Sequence, residues 1–295
     1  MKQFSPLAAL LLTLAFLAMG CQKDDPTQQV QPASDPLEFR FTATEFDLFT
    51  LNLTTGVTSQ LSSIPGCGEF DPSFSHNGRF VAHDAFFNPG HYIYLTDTRT
   101  LESWPLSGAE NGDNASCSPN GKWIAFVSMT GGNICRVPPE GGVPEFLTQG
   151  NEPEWSHNSK MLAFQRGGDI FVLDLATGEE TFVCQGEVPT WSRDGKWIAF
   201  IRDQQLHKLP VDHNGAPAGP SVQLTHRPDL IAKPAWSHNG KWIAFFSWGV
   251  NGYDIWRVSA QGGEPENLTN TPDFNEVDPD WSHNGQLIVF CRGPV

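Results

Sequence analysis

Two sets of residues in this chain carry groups that could do chemistry, and each recurs at one place in a repeating motif. The first is four histidines, His76, His157, His238 and His283, each second in a Ser-His-Asn turn. Imidazole is a common metal ligand. The second is acidic: Glu69 and Asp71, Asp113, Glu152 and Glu154, Glu187, and Asp278 and Asp280 stand shortly before those turns or their equivalents. Converging carboxylates suit Ca²⁺ or another hard cation, or a basic peptide drawn in by their summed field. As a pair flanking a sugar they suit glycosidic-bond chemistry. The arrangement of the elements that carry them decides which of these holds.

The turn occurs six times, roughly every 40 residues, as Phe-Ser-His-Asn-Gly at 74–78, Cys-Ser-Pro-Asn-Gly at 117–121, Trp-Ser-His-Asn-Ser at 155–159, Trp-Ser-Arg-Asp-Gly at 191–195, and Trp-Ser-His-Asn-Gly at 236–240 and 281–285. Serine suits the first position of a type I turn and glycine the fourth. Asn or Asp at the third can bond nearby backbone. The glycine position usually takes positive φ, which a residue with a Cβ resists, so Ser159 implies strain or another turn type. A short apolar strand follows each turn, as Lys-Trp-Ile-Ala-Phe at 122–126, 196–200 and 241–245. It is apolar at every position, which suits a sheet covered on both faces. Third and fourth strands follow in each unit, as at 253–258 and 266–269.

Four-stranded units repeating at this period predict an all-β fold, a six-bladed β-propeller. The sixth repeat stops after its second strand, 287–290, whereas 46–51 and 58–61 match a third and a fourth. Pairing the two ends in one blade closes the ring without an open edge. Residues 37–42 are a spare strand-like segment that competes with 287–290 or extends the blade. The expected domain is 37–295.

The first residues read as an address. Lys2, the apolar run 7–17 and Ala-Met-Gly-Cys at 18–21 resemble a bacterial lipoprotein signal, which implies cleavage after residue 20 and a lipidated Cys21. The apolar run is shorter than the ~20 residues of a spanning helix. Gln-Lys-Asp-Asp at 22–25 looks like the signal that sends some lipoproteins of the Bacteroidota to the outer face of the outer membrane. Residues 21–36, rich in Gln, Pro and Asp, read as a flexible tether. The expected address is therefore an outer-membrane lipoprotein on the periplasmic or cell-surface side, with the membrane met only through lipid.

The Trp-Ser-x-Asn/Asp-Gly-Lys-x-Ile-Ala-Phe pattern resembles the WD-like repeat of TolB-type propellers, over about residues 37–295. That resemblance implies a six-bladed propeller and protein–protein interaction in the bacterial envelope. The separate N-terminal α/β domain of TolB has no counterpart in this reading, so only the fold and the interaction class are carried over.

Against that frame of six blades, the histidines of neighbouring blades are expected to sit too far apart to share an ion near ~2.1 Å, and are read as exposed turn residues. The acids are expected on the inner strands, converging on the central channel. Asp71, Glu152, Glu154, Glu187, Asp278 and Asp280 are the candidate binding set. A net charge of −15 argues against a general nucleic-acid binder. Cys67, Cys117, Cys135, Cys184 and Cys291 have no metal-binding spacing and read as small buried hydrophobes. The turn serines are explained by turn chemistry, and no Gly-x-Ser-x-Gly elbow is present. The leading expectation is a non-enzymatic, monomeric module without a cofactor, docking an envelope protein or a glycan; Ca²⁺ is the ion its acids would suit. The alternative is a carbohydrate lyase or hydrolase. A carboxylate pair with Arg, Lys or Tyr beside it in a deep pocket would favour the enzyme, and a shallow acidic ring would favour binding.

Overall fold

The computed structural model describes residues 45–88 and 90–295, and all regular structure among them is β-strand. Six antiparallel sheets of four strands form the blades of a propeller. Blade 1 holds Gly68–Phe74, Phe80–Phe87, Gly90–Asp97 and Ser103–Glu110, from the innermost strand outward. The inner strands of blades 2 to 5 are Gly112–Cys117, Asn151–Trp155, Glu187–Trp191 and Ile231–Trp236. No helix among the described residues is long and apolar enough to cross a membrane.

Blade 6 is built from both ends of the described chain, as the sequence predicts. Its strands run Phe274–Trp281, Leu287–Pro294, Asp47–Asn52 and Thr58–Ser62. Leu48 pairs with Cys291 and Phe49 with Phe290 across the join. Leu287–Pro294 therefore fills the second-strand place for which residues 37–42 compete in the sequence. Residues 37–42, like the leader, Cys21 and the tether, lie outside the described residues.

The six turns share one geometry. Each turn serine accepts a hydrogen bond at its Oγ from the amide five residues on, as at Ser75 with Phe80 and Ser192 with Trp197. The Asn or Asp two places after the serine accepts from that hydroxyl and from the amide two residues further. Ser159 does not change the turn: its φ is +57° and its amide bonds Ser156 O at 2.8 Å, as the glycines do elsewhere. Of the two alternatives, another turn type is absent and the strain of a left-handed serine is present. Ser159 Oγ accepts from the Asn120 amide of blade 2, which offsets part of it.

The core lies between blades. Ile198, Ala199, Phe200, Ile243, Ala244 and Phe245 are 0% exposed, because the second strand packs on a neighbour through each face. The cluster joining blades 4 and 5 sets Ala199, Ile201 and Leu206 against Ile231, Ile243 and Phe245. All five cysteines of the propeller are free thiols, four of them buried.

Candidate functional site

Each inner strand carries one residue with positive φ, between 47° and 54°: Asp71, Asn114, Glu152, Val188, Lys233 and Asp278. At each of these points the pairing with the second strand slips, as between Phe70 and Ser73 or Val277 and Asp280. Bulges re-aim side chains, and all six residues line one pocket in the channel, of about 220 Å³. Proline follows in every blade but the second, where Ala115 stands. A bulge in all six blades, Val188 included, makes it a property of the repeat rather than of one site.

Three of these six are carboxylates of the candidate set, and the structure gives them a cation. Lys233 Nζ lies 2.7 Å from Asp71 and 2.8 Å from Glu152. Asn114 Nδ2 donates to the other oxygen of Asp71 at 2.9 Å. Burial pushes the Asp278 carboxyl well up, and the Asp71 charge adds to it. Burial also raises Glu152, against the pull of Lys233. Burial disfavours the Lys233 ammonium, but Asp71 and Glu152 outweigh it and hold the group well above its usual range. The all-acid funnel read from the sequence is therefore corrected: it is a mixed ring with an ammonium inside.

The other candidates separate. Glu154 and Asp280 line the same pocket two residues further along, but they bond the neighbouring blade. Glu154 accepts from Ser116 Oγ at 2.9 Å, and Asp280 from the Phe74 amide at 2.8 Å. Burial raises them to about 8 and about 6. Glu187 does not line the pocket; its neighbour Val188 takes the channel position. Glu69 is fully buried between blades 6 and 1, bound by Ser62 Oγ and the Leu48 amide, with burial raising it to about 7. Asp113 meets Asp71 and the buried Asp84, and one carboxylate oxygen from each lies within 4.8 Å of the other two. Oxygen ligands of this kind suit a hard cation. Asp84 Oδ1 has no donor.

Lys233 was legible by register. Lys-Pro-Ala-Trp at 233–236 aligns with Asp-Pro-Asp-Trp at 278–281 and Glu-Pro-Glu-Trp at 152–155. A search for like charges passes over it. The histidines need a second correction. His76 and His283 have ring centroids 3.9 Å apart, and His283 and His238 3.7 Å, so these three neighbours meet at the pocket mouth. The turns lean inward over the channel, which spacing along the chain does not reveal.

No family model and no curated protein matches the chain. Solved structures do. A putative TolB from Agrobacterium tumefaciens superposes with a TM-score of 0.69 at 20% identity, covering 85% of this chain and 99% of that one. TolB from Acinetobacter baumannii gives 0.59 at 18% identity, over 85% of this chain and 64% of that one, so this chain spans less than two thirds of it. An oligogalacturonate lyase in complex with manganese gives 0.54 at 16% identity, over 81% and 76%. At these identities the likeness is one of fold, and the fold is the six-bladed propeller seen in TolB-type structures.

Proposed function

We propose that this protein is a non-enzymatic binding module of the bacterial envelope, tethered by lipid on Cys21, whose channel pocket docks a basic segment of a protein or glycan. The observation that carries the reading is the ring itself. Asp71 and Glu152, from two blades, already hold the ammonium of Lys233, and the Asp278 charge from a third helps to stabilise it, so Lys233 is an internal example of the group such a ring accepts. Asp113 and the buried Asp84 add two carboxyl groups beside Asp71; burial and these neighbours push Asp84 well up, and a second cationic group there would favour the ionised carboxylates. The turn serines are all engaged in their own turns, which leaves no free nucleophile among them. The likeness of the fold to TolB structures agrees with a docking role.

A lyase or hydrolase is the second reading, and one observation favours it: Asp71 and Glu152 form a carboxylate pair with Lys233 beside them. The fold likeness to an oligogalacturonate lyase points the same way. Against it, Lys233 is held protonated, and an ammonium is not a general base.

Capture of envelope proteins and glycans from solubilised membranes by the immobilised chain tests the first reading, with Asp71→Asn/Asp278→Asn as control. Loss of capture in the control supports it, and equal capture sinks it. Release of unsaturated uronides from polygalacturonate, with and without Mn²⁺, would establish the second instead. Cys21→Ser should abolish acyl labelling and membrane retention; retention without acylation removes the tether from the proposal.

A further inference from the structure

The pocket mouth carries a second group of side chains, opposite in character to the acids. His76, His238, His283 and Arg193 occupy the same turn position on four blades and line the mouth together. The three rings are in contact, at 3.9 and 3.7 Å between centroids. Among the described residues, no hydrogen bond or ion pair occupies these three imidazoles or the Arg193 guanidinium. An unpaired guanidinium is notable in a chain with 33 acidic residues and a net charge of −15.

The sign of the local field decides what such a cluster accepts. Burial and the Arg193 charge lower His76. Burial, Arg193 and the two other rings push His238 down to about 4. Burial, His76 and Arg193 lower His283. No carboxylate contributes at any of the three. A metal dication would be repelled by Arg193, and the ring nitrogens do not all come within 4.8 Å of one another. An oxyanion meets the reverse: a planar guanidinium fork and imidazole N–H donors, none committed elsewhere.

We propose that Arg193, His76, His238 and His283 form an oxyanion subsite at this mouth of the channel, taking a carboxylate, phosphate or sulfate group carried by the ligand. The subsite shares a pocket with the Asp71–Glu152–Lys233 ring but uses other residues, so either stands if the other fails. Binding an anion among rings that repel one another as cations favours their protonated form, so affinity rises as pH falls. The surrounding turns contribute little to this. Asp194 is tied to Ser192 Oγ and the Lys196 amide, blade 2 presents Pro119, and His157 packs over Gly195. Glu152, Glu154, Asp278 and Asp280, all raised by burial, line the same pocket and lose charge in the same direction, and Asp71 and Lys233 line it too, so the Arg193 variant isolates the subsite.

The test is an NMR titration of the histidine ring protons of the full chain with inorganic phosphate, sulfate and galacturonate, at pH 6 and 8 and constant ionic strength. Saturable shifts of the three rings are expected, with affinity roughly tenfold higher at pH 6. Arg193→Gln should weaken binding roughly tenfold or more, and Arg193→Lys less, because the charge stays and the fork is lost. Saturation by galacturonate alone assigns a carboxylate; saturation by phosphate or sulfate alone assigns those groups. Unsaturable shifts with all three anions at tens of millimolar overturn the proposal. So does binding unchanged in Arg193→Gln, or Zn²⁺ capture by these rings without anion binding. If Arg193→Gln fails to fold, the Arg193→Lys comparison and the pH dependence of His238→Gln decide.

Discussion

Lys233 Nζ stands 2.8 Å from both carboxylate oxygens of Glu152, reaching from blade 5 to blade 3 past Val188 of blade 4. The same ammonium meets Asp71 of blade 1. One side chain thus links three blades across the axis. Val188 is the apolar member of the ring and offers no competing group.

Removing one partner of a partly buried ion-pair network leaves its charges unpaired. Lys233→Met is expected to destabilise the propeller by about 3 kcal/mol or more, read from urea midpoints. Adding Asp71→Asn and Glu152→Gln should recover part of the loss, since the stranded charges go too. An unchanged midpoint in Lys233→Met would show that the pairs contribute nothing.

Stability should fall as pH rises above neutrality. Glu154 and Glu69 are raised by burial to about 8 and about 7, from an ordinary 4.5. Between those values the folded state holds protons that the unfolded state has lost, so the contribution is full below about pH 4.5 and is lost as pH climbs through the folded values. His83 and His238, held down to about 4, act oppositely, but only below about 6.5. Thermal melts from pH 6.5 to 8.5 should therefore show a declining Tm, and Glu154→Gln should flatten the slope. A Tm that rises over that range contradicts the assignment.

The blade shared by both ends should be the weak point. Leu48 is fully buried against it, and Leu48→Ala is expected to cost about 2–5 kcal/mol. Deleting 37–61 strips Leu287–Pro294 of its partner strand and should cause aggregation or a much lower Tm. A truncated chain that melts like the full one would refute this closure.

For a basic partner, Asp71→Asn with Glu152→Gln and Asp278→Asn should reduce affinity strongly, and salt should weaken what remains. His76, His238 and His283 changed to Ala should leave it nearly unaltered. The reverse ranking would place the basic group elsewhere. Glu154 and Asp280 belong to a different expectation: because they bond the next blade, their neutralisation should register mainly in stability.

Gly195→Ala should cost more than a left-handed φ alone, because its φ is +68° and an added Cβ would lie 2.3 Å from His157 Cε1, so the His157 ring must shift. Gly121→Ala, at a similar φ of +69° but with open space around it, should cost only about 1–2 kcal/mol. Equal losses in the two would show that backbone conformation, not His157, sets the cost.

The repeat made the blades legible, because turn, aromatic and apolar strand recur in register and all three follow from local chemistry. The closure was legible for the same reason, as 46–51 is a third strand without its first two. Asp71, Glu152 and Asp278 were legible as a converging set. What escaped was geometry set by the bulge and by the lean of the turns. The bulge puts Val188 rather than Glu187 into the channel, and turns Lys233 inward with the acids. The lean brings His76, His283 and His238 into contact, where separation along the chain argues for distance. Glu69 reads as a channel acid by position, yet the strand alternation buries it between blades.

The pairing of Asp47 with Arg292 has a consequence for how the chain can be threaded. The first and last strands of the described chain lie side by side, so the ring has no obligatory starting point. A short linker joining the two ends, with a new opening cut in a connection between two other blades, should give a circular permutant with the same six sheets. Chain order would then be a matter of descent, while the architecture depends only on which blade sits beside which.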